Sequence, residues 1–158
     1  MASPSPSLFK IIAQNRKARH NFFIADTLEA GVILMGSEIK SLRFGKSNIE
    51  DSYVTHTDGE LYLLNMFISE YASAKHFSHD TKRPRKLLLR KREINKLIAA
   101  IRREGMTIVP LSVYFNEKGR IKLKLGLVEG KKKADKRAHE KERDWNRQKG
   151  RILRNKNN

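Results

Sequence analysis

TIVPLSVYFNEKGRIKLKLGLV, residues 107–128, is the stretch that decides the fold. Apolar residues alternate with other residues in both halves, which predicts two strands that each bury one face. The inward residues are expected to be Val109, Leu111, Val113 and Phe115 in the first strand, and Ile121, Leu123, Leu125 and Leu127 in the second. A turn between the halves makes the stretch an antiparallel hairpin.

The second strand of this hairpin also predicts a row of positive charges. If Leu123 and Leu125 point inward, Arg120, Lys122 and Lys124 lie together on the opposite face, because side chains alternate along a strand. Such a row is either a binding surface or a solvated face whose lysines prevent edge pairing. The sequence alone does not separate the two.

The segments before the hairpin predict more strands and one helix. NFFIAD (21–26), GVILMGSEIKSLRFG (31–45) and SYVTHTDGELYLLNMFI (52–68) favour strands, the last with a turn at Asp58-Gly59, whereas QNRKARH (14–20) favours a loop or edge. REINKLIAAIRREG (92–105) has helical spacing and ends at Gly105. Short antiparallel strands with one covering helix predict a small barrel, because closure removes exposed edges.

The charge of the chain predicts a polyanionic partner. The 158 residues carry a formal +17, and residues 130–158 contribute +8 of it, with twelve Lys and Arg against four Asp and Glu. Phosphate neutralisation gives such a protein affinity for nucleic acid. The terminal segment is also poor in apolar residues, so we expect a coil in the free protein that becomes structured on a partner. We divide the chain into a flexible lead (1–12), a barrel domain (13–129) and a basic tail (130–158).

Several functional classes find no support in the sequence. There is no cysteine, which excludes disulfides and thiolate sites. GVILMGSE has phosphate-loop spacing but lacks the lysine such a loop requires, and we interpret it as a strand. His76, His79 and Asp80 lack a fourth clustered ligand, so we expect a loop and no metal. No catalytic group and no cofactor site is predicted, and MASPSPS at the start is unlike a signal peptide, which favours the cytoplasm.

Two residues are candidates for RNA contact. In RKLLLRK (85–91), an extended backbone puts Leu87 and Leu89 on one face and leaves Leu88 on the other, among basic residues. Leu88 then either contacts a ribose or base, or is buried under the loop before it. Glu29 either accepts from a base edge or forms a local salt bridge. The aromatic residues of the predicted strands are expected in the core: Phe22, Phe23, Tyr53, Tyr62, Phe67, Tyr114 and Phe115.

Four segments resemble one known family. NRKARHNFFI, EAGVILMGSEIKSLRFGKSNIEDSYV, HDTKRPRKLLLRKREI and GLVEGKKKADKR, spread between about Asn15 and Trp145, are similar to SmpB, the small protein B that binds transfer-messenger RNA (SsrA RNA) in bacteria. The resemblance implies a barrel of OB-like topology with flanking helices. It also implies delivery of that RNA to stalled ribosomes in trans-translation, with the tail helical in the empty message channel near the decoding centre. Elongation factor Tu would be an indirect partner through the RNA.

The resemblance also implies site residues, taken where the motifs match. The RNA-binding set is Asn15, Lys17, Arg19, His20, Glu29, Gly31, Lys40, Ser41, Arg43, Leu88 and Lys122. The ribosome-engaging tail set is Gly130, Lys131, Lys132, Asp135, Lys136, Arg137, Trp145 and Ile152. The chain departs from the family pattern at Met66-Phe67 and at Ala134. A structural ribosomal protein and a nuclease or RNA-modifying enzyme are the alternative classes, the latter without the acids or metal cluster it would need.

Overall fold

The protein is built around a closed ring of antiparallel strands with helices on its outside. The computed structural model describes residues 10–71, 79–130 and 133–156, with side chains for 10–71, 79–129 and 140–154. The strands are β1 (Lys10–Gln14), β2 (Phe22–Val32), β3 (Ser47–Asn48), β4 (Tyr53–Thr57), β5 (Glu60–Leu64), β6 (Phe67–Ile68), β7 (Arg85–Leu88), β8 (Thr107–Phe115) and β9 (Ile121–Gly130). The helices are α1 (Arg16–Asn21), α2 (Gly36–Arg43), α3 (Lys91–Glu104) and α4 (Lys133–Lys156).

Six strands form the ring. They pair in the order β8-β4-β5-β7-β2-β9, and β9 pairs again with β8, which closes the barrel. Strand β8 pairs with β4 near its start, through Ile108 and Val54, and with β1 over its second half. Strands β3 and β6 form a separate ladder. The predicted small antiparallel barrel is confirmed, as are the hairpin at Asp58-Gly59 and the helix ending at Gly105, which takes the left-handed conformation.

The interior of the barrel is aliphatic. Leu61, Leu63, Leu123 and Leu125 are fully buried, and α3 adds Leu97 from outside the ring. The expectation that strand aromatics form this core is wrong, since the buried hydrophobic residues of the described chain include no Phe, Tyr or Trp. A six-stranded ring is narrow, and Leu, Ile and Val side chains are sufficient to fill it.

The alternation predicted for β8 is interrupted by a bulge. The β8–β9 register shifts between Pro110 and Ser112, so one extra residue stands in β8. Val113 faces the barrel interior as predicted, but Val109 belongs to a second, outer cluster with Ala18 and Val128, and Leu111 packs against that cluster. The bulge explains the error, because an inserted residue exchanges the inward and outward faces on its two sides.

Two segments predicted as loop or strand are helices. QNRKARH contains α1, whose N-terminus is capped by Asn15: its Oδ1 accepts from the Ala18 amide at 3.2 Å. The C-terminal part of GVILMGSEIKSLRFG is α2, which buries Glu38, Ser41 and Leu42 at helical spacing. Because two of these three residues are polar, the apolar pattern that reveals a helix in a sequence is absent.

A buried ion pair holds α2 to the barrel. The Glu38 carboxylate accepts from Arg85 Nε, from Arg83 Nη2 at 2.6 Å and from the Met35 amide at 2.9 Å, and Arg85 Nη1 donates to the Met66 carbonyl at 2.6 Å. Glu38 and Arg85 are fully buried. Burial alone would raise the pKa of Glu38, but the amide and the two guanidinium groups together outweigh it, so the pKa is lowered.

The barrel domain begins two residues before the predicted end of the lead, and it ends at the predicted boundary with the tail. The lead was predicted to be flexible to residue 12, but β1 begins at Lys10 and pairs with β8, because its Ile12 and Ala13 pack against the main core. At the other end, β9 ends at Gly130, the predicted boundary, and the tail is one helix from Lys133 to Lys156. That the tail is a coil before it meets its partner stays a prediction.

Candidate nucleic-acid interface

The outer face of the barrel brings predicted site residues into one cross-strand row. Leu88 on β7 is the register partner of Gly31 on β2, Gly31 is the partner of Lys122 on β9, and Lys122 is the partner of Tyr114 on β8. Residues in register across a sheet have neighbouring side chains on the same face. Three residues from the RNA-binding set and one tyrosine therefore lie side by side.

We call the hollow around this row the Leu88 cleft. It has a volume of about 540 Å³ and is lined by four residues of the RNA-binding set, Gly31, Arg43, Leu88 and Lys122, together with Val32, Ile33, Leu34, Ile39, Gly119, Arg120 and Ile121. Leu88 is 52% exposed and its neighbour Leu87 is 1% exposed, which confirms the outward position predicted for Leu88. A cleft with apolar walls and three cationic side chains suits a ribose or base next to its phosphate.

Gly31 lets Leu88 lie across β2. A Cβ atom added at Gly31 would be 3.2 Å from the Leu88 Cβ, closer than most such contacts, and 3.6 Å from its Cδ1, an ordinary contact. Any larger residue at position 31 would therefore push Leu88 away. This gives Gly31 a steric role in the cleft, and its predicted RNA contact stays a prediction.

A second hollow, the Arg19 cleft, lies beside the first along β9. It has a volume of about 500 Å³ and is lined by Arg16, Arg19 and Lys124, with Ile11, Gln14, Asn15, Leu111 and Ser112. Lys124 is two residues from Lys122 on the same strand, about 7 Å away. The two clefts therefore present lysines about 7 Å apart on one strand.

Glu29 is the acid of this basic face. It is the register partner of Lys124, and the Tyr114 hydroxyl donates a hydrogen bond to its Oε2. Burial, followed by the hydrogen bond and the charge of Glu29, raises the pKa of Tyr114 well above its ordinary value, so the phenol stays a donor. This contact replaces the local salt bridge that was the alternative for Glu29. The hydrogen bond from Tyr114 orients the carboxylate through Oε2, so the other oxygen, Oε1, can accept a hydrogen bond from a ligand.

Tyr114 is a candidate site residue, through its contact with Glu29, that sequence reasoning missed. It was assigned to the core with the other strand aromatics, although it follows the inward Val113 and so must point outward. The local alternation of residues 112–115 already indicates that Tyr114 points outward. The sequence does not indicate the contact of Tyr114 with Glu29, which is 85 positions away.

Two members of the RNA-binding set act inside the fold. Asn15 is 6% exposed, and its Nδ2 donates to the Pro110 carbonyl at 3.0 Å while its Oδ1 caps α1. Ser41 is 3% exposed, and its Oγ lies 2.7 Å from the Ser69 carbonyl oxygen. Their polar atoms are bonded inside the protein, where they position α1 and α2, and their predicted RNA contacts stay predictions.

The remaining members lie on the two short helices around the clefts. Lys17 Nζ is 3.6 Å from Glu50 Oε2, and His20 Nε2 is 3.2 Å from Glu140 Oε1 of α4. Lys40 Nζ lies 5.6 Å from the centroid of the Tyr71 ring. All three are on the outside of the fold, and their predicted RNA contacts stay predictions.

The described part of the tail exposes its largest apolar residues. Trp145 is 62% exposed, and Ile152, seven residues further along α4, is 55% exposed. Seven residues are almost two helical turns, so both lie on one side. Lys131 and Lys132 lie outside the described residues, as do the side chains of Asp135, Lys136 and Arg137.

The histidine-rich segment HFSHD contributes a structural residue. His79 is buried, with Nδ1 2.9 Å from Ser37 Oγ and Nε2 3.0 Å from the Ile68 carbonyl oxygen. Both ring nitrogens are thus occupied inside the fold. His76 lies outside the described residues. Within the described ranges no three His, Asp or Glu side chains are grouped as metal ligands, and no helix is long and apolar enough to cross a membrane.

A closed antiparallel barrel with cationic clefts on one outer face is typical of the small OB-like proteins that bind nucleic acid. The comparisons with known proteins agree with this class. The family model for SmpB protein matches residues 12–155. The chain belongs to the SmpB family.

Individual relatives support this assignment over nearly the whole chain. An SsrA-binding protein of Rhodopseudomonas palustris (strain BisB18) is 56% identical over 154 residues, covering 98% of both chains. One from Rhizobium meliloti (strain 1021) is 58% identical over 144 residues, covering 91% of both. A solved structure described as "tmRNA-SmpB: a journey to the center of the bacterial ribosome" matches with a TM-score of 0.64 and 44% identity, over 78% of this chain and 90% of that one.

Proposed function

We propose that this protein binds the tRNA-like part of transfer-messenger RNA with its barrel and delivers that RNA to stalled ribosomes for trans-translation. Its family and the names of its relatives, SsrA-binding proteins, support the partner. The observation on this chain that carries the proposal is the Leu88 cleft, where Gly31, Arg43, Leu88 and Lys122 from four elements meet at one place.

The proposed binding mode follows from the chemistry of the two clefts. Lysine and arginine at their rims neutralise phosphates and release counterions. Leu88 offers an apolar contact to a ribose or an unstacked base, and Glu29 accepts from a base edge. Phosphate contacts position the RNA, whereas Glu29 and Leu88 provide selectivity. The protein acts by binding in the cytoplasm, without a catalytic step or cofactor, and elongation factor Tu meets it through the RNA.

The tail has a separate role in this proposal. Residues 130–158 engage the decoding site and the empty message channel, with Trp145 and Ile152 as anchors on one side of α4. The segment 13–129 holds the RNA. The basic side chains of the tail offset the phosphate charge of a channel lined by ribosomal RNA.

A matched pair of lysine variants tests the RNA-binding part. Lys122→Gln removes a cation from the Leu88 cleft, and Lys118→Gln removes one from the exposed turn of the same hairpin. Dissociation constants are measured for transfer-messenger RNA and for an unrelated structured RNA of similar length. Lys122→Gln should weaken the cognate RNA by about 1 kcal/mol or more and lower the salt slope by about one, while Lys118→Gln should change little. Equal losses for both lysines, or no preference of the native chain for transfer-messenger RNA, would refute the proposal.

A further inference from the structure

We propose that Phe44 and Tyr71 form a stacking platform for one unpaired nucleobase of the bound RNA, beside the Leu88 cleft. Phe44 directly follows α2 and is 70% exposed, more than any other large hydrophobic residue among those described. Its ring stacks on Tyr71 with centroids 6.2 Å apart and planes inclined by 17°. The inference rests on the proposed function, whose partner it makes more specific.

Hydrogen bonds join the segment that carries Phe44 to the segment that carries Tyr71. Ser41 Oγ on α2 contacts the Ser69 carbonyl oxygen at 2.7 Å, and the Ser69 amide donates to the Lys46 carbonyl at 3.1 Å. Tyr71 is two residues from Ser69, and Phe44 lies between Ser41 and Lys46 in the chain, so these two hydrogen bonds hold the segment that carries Tyr71 next to the segment that carries Phe44. A nucleobase can add to a stack that is already ordered at a lower entropic cost than to two free rings.

The surrounding charge selects RNA over an apolar protein partner. Lys40 Nζ lies 5.6 Å from the centre of the Tyr71 ring. In the chain, Arg43 and Lys46 flank Phe44, and Glu70 precedes Tyr71, so cations outnumber acids at these positions. A phosphate on either side of a stacked base would meet these cations. Stacking on an aromatic face favours unpaired bases, because bases inside a duplex already stack on one another and only the end pairs have a free face.

The position of Phe44 connects the platform to the Leu88 cleft. Arg43, the residue before it, is one of the cationic side chains of that cleft. A phosphate bound by Arg43 therefore belongs to a nucleotide near the one whose base lies on Phe44. The platform extends the interface along α2, away from the barrel strands.

Phe44→Leu is the first test, because it keeps an apolar side chain and removes the ring. Full-length protein should bind a transfer-messenger RNA transcript about 5- to 150-fold more weakly, the range typical of one stacked base. Phe44→Tyr should restore binding. Phe67→Leu, at another exposed aromatic residue, is the matched control and should keep native affinity and the same melting temperature.

Tryptophan fluorescence gives a direct readout. In a Trp145→Phe background, which removes the natural tryptophan, Phe44→Trp should be quenched by the transcript, and by a single-stranded oligonucleotide more than by a blunt duplex of equal length. Native affinity in Phe44→Leu, or equal quenching by duplex, overturns the platform. If Lys122→Gln still weakens binding in that case, the proposed function stands and only the platform fails. A tagging defect without any change in RNA affinity would assign Phe44 to a ribosomal contact and also overturn it.

Discussion

Tyr114→Phe isolates the hydrogen bond that orients Glu29. The substitution removes one oxygen atom and keeps the ring, so packing on the outer face of β8 is preserved. Because the Tyr114 hydroxyl donates to Glu29 Oε2, its loss leaves the carboxylate free to rotate. We expect weaker binding of transfer-messenger RNA with little change in stability.

The size of the effect follows from the exposure of the pair. A hydrogen bond to a charged group contributes about 1.5 to 3 kcal/mol when well shielded. Glu29 is exposed, so water replaces the phenol in part, and we expect a loss of about 1 kcal/mol, or roughly fivefold in Kd. Glu29→Gln should cost more, about 1 to 3 kcal/mol, because it removes the negative charge and replaces one acceptor oxygen with an NH2 donor, which opposes the donor of the base edge proposed to bind there.

A double-variant cycle distinguishes orientation from an independent contact. If Tyr114 acts through Glu29, the Tyr114→Phe/Glu29→Gln variant should bind no more weakly than Glu29→Gln alone. The salt slope should stay constant, since no phosphate contact is removed. Tyr53→Phe, on the exposed part of β4, is the control. Additive losses, or an equal loss for unrelated RNAs, would show that the tyrosine does not act through Glu29.

The pH dependence offers a second check of the same pair. The pKa of Tyr114 is raised in the folded protein, so the contribution of its hydrogen bond to Glu29 is complete below the unfolded pKa of about 10. That contribution is lost only as pH rises through the higher folded pKa. The difference in RNA-binding free energy between the native chain and Tyr114→Phe should therefore be constant between about pH 6 and 9. A difference that changes with pH in this window would contradict the assignment of Tyr114 as a permanent donor.

Three other outcomes are expected. Glu38→Gln should lower the free energy of unfolding by about 3 to 5 kcal/mol in chemical denaturation, because it leaves a buried arginine without a counterion, whereas Asp26→Asn in a surface pair should change little. Since the folded pKa of Glu38 is lowered, this stability is present above the unfolded value of about 4.3 and is lost as pH falls through the folded value, so the two proteins should converge in acid. A chain ending at Gly130 should bind transfer-messenger RNA nearly as well as the full chain but fail in a tagging assay; a loss of RNA binding as large as that on unfolding would make the tail part of the primary site. Proline inserted between Lys141 and Trp145 should abolish tagging and leave RNA binding intact, because it costs about 3 kcal/mol in a helix and little in a coil, and backbone NMR should find residues 134–153 as coil in the free protein. Sharp helical shifts there, or full tagging by the proline variant, would contradict coupled folding.

The parts of the fold that the sequence predicts are those set by short-range patterns. The β8–β9 hairpin, the turn at Asp58-Gly59 and helix α3 follow from alternation, turn chemistry and helical spacing over fewer than 25 residues. The outward position of Leu88 follows in the same way, because alternation places Leu87 and Leu89 on one face and Leu88 on the other, and burying two leucines is more favourable than burying one. Each of these depends on neighbours in the chain, so no tertiary knowledge is needed.

The errors occur where a tertiary contact replaces the usual apolar signal. Helix α2 buries Glu38 and Ser41, whose partners are a strand and a loop more than 25 residues away. The β8 bulge at Leu111 becomes visible only once β9 is paired beside it. The strand aromatics, Tyr114 among them, are predicted in the core by their general preference, but a narrow aliphatic barrel keeps them out of its fully buried interior.

The polar attachment of α2 has a consequence for the interface. Leu42 is the one hydrophobic residue that this eight-residue helix buries, and the rest of its inner side is held by Glu38 and Ser41. Apolar contacts are non-directional and allow a short helix to rotate, whereas hydrogen bonds weaken steeply when their angles change. The buried ion pair with Arg85 therefore fixes the rotation of α2 about its axis. That rotation decides where Lys40 and Arg43 point, so the least apolar part of the fold is also the part that aligns cations with the Leu88 cleft.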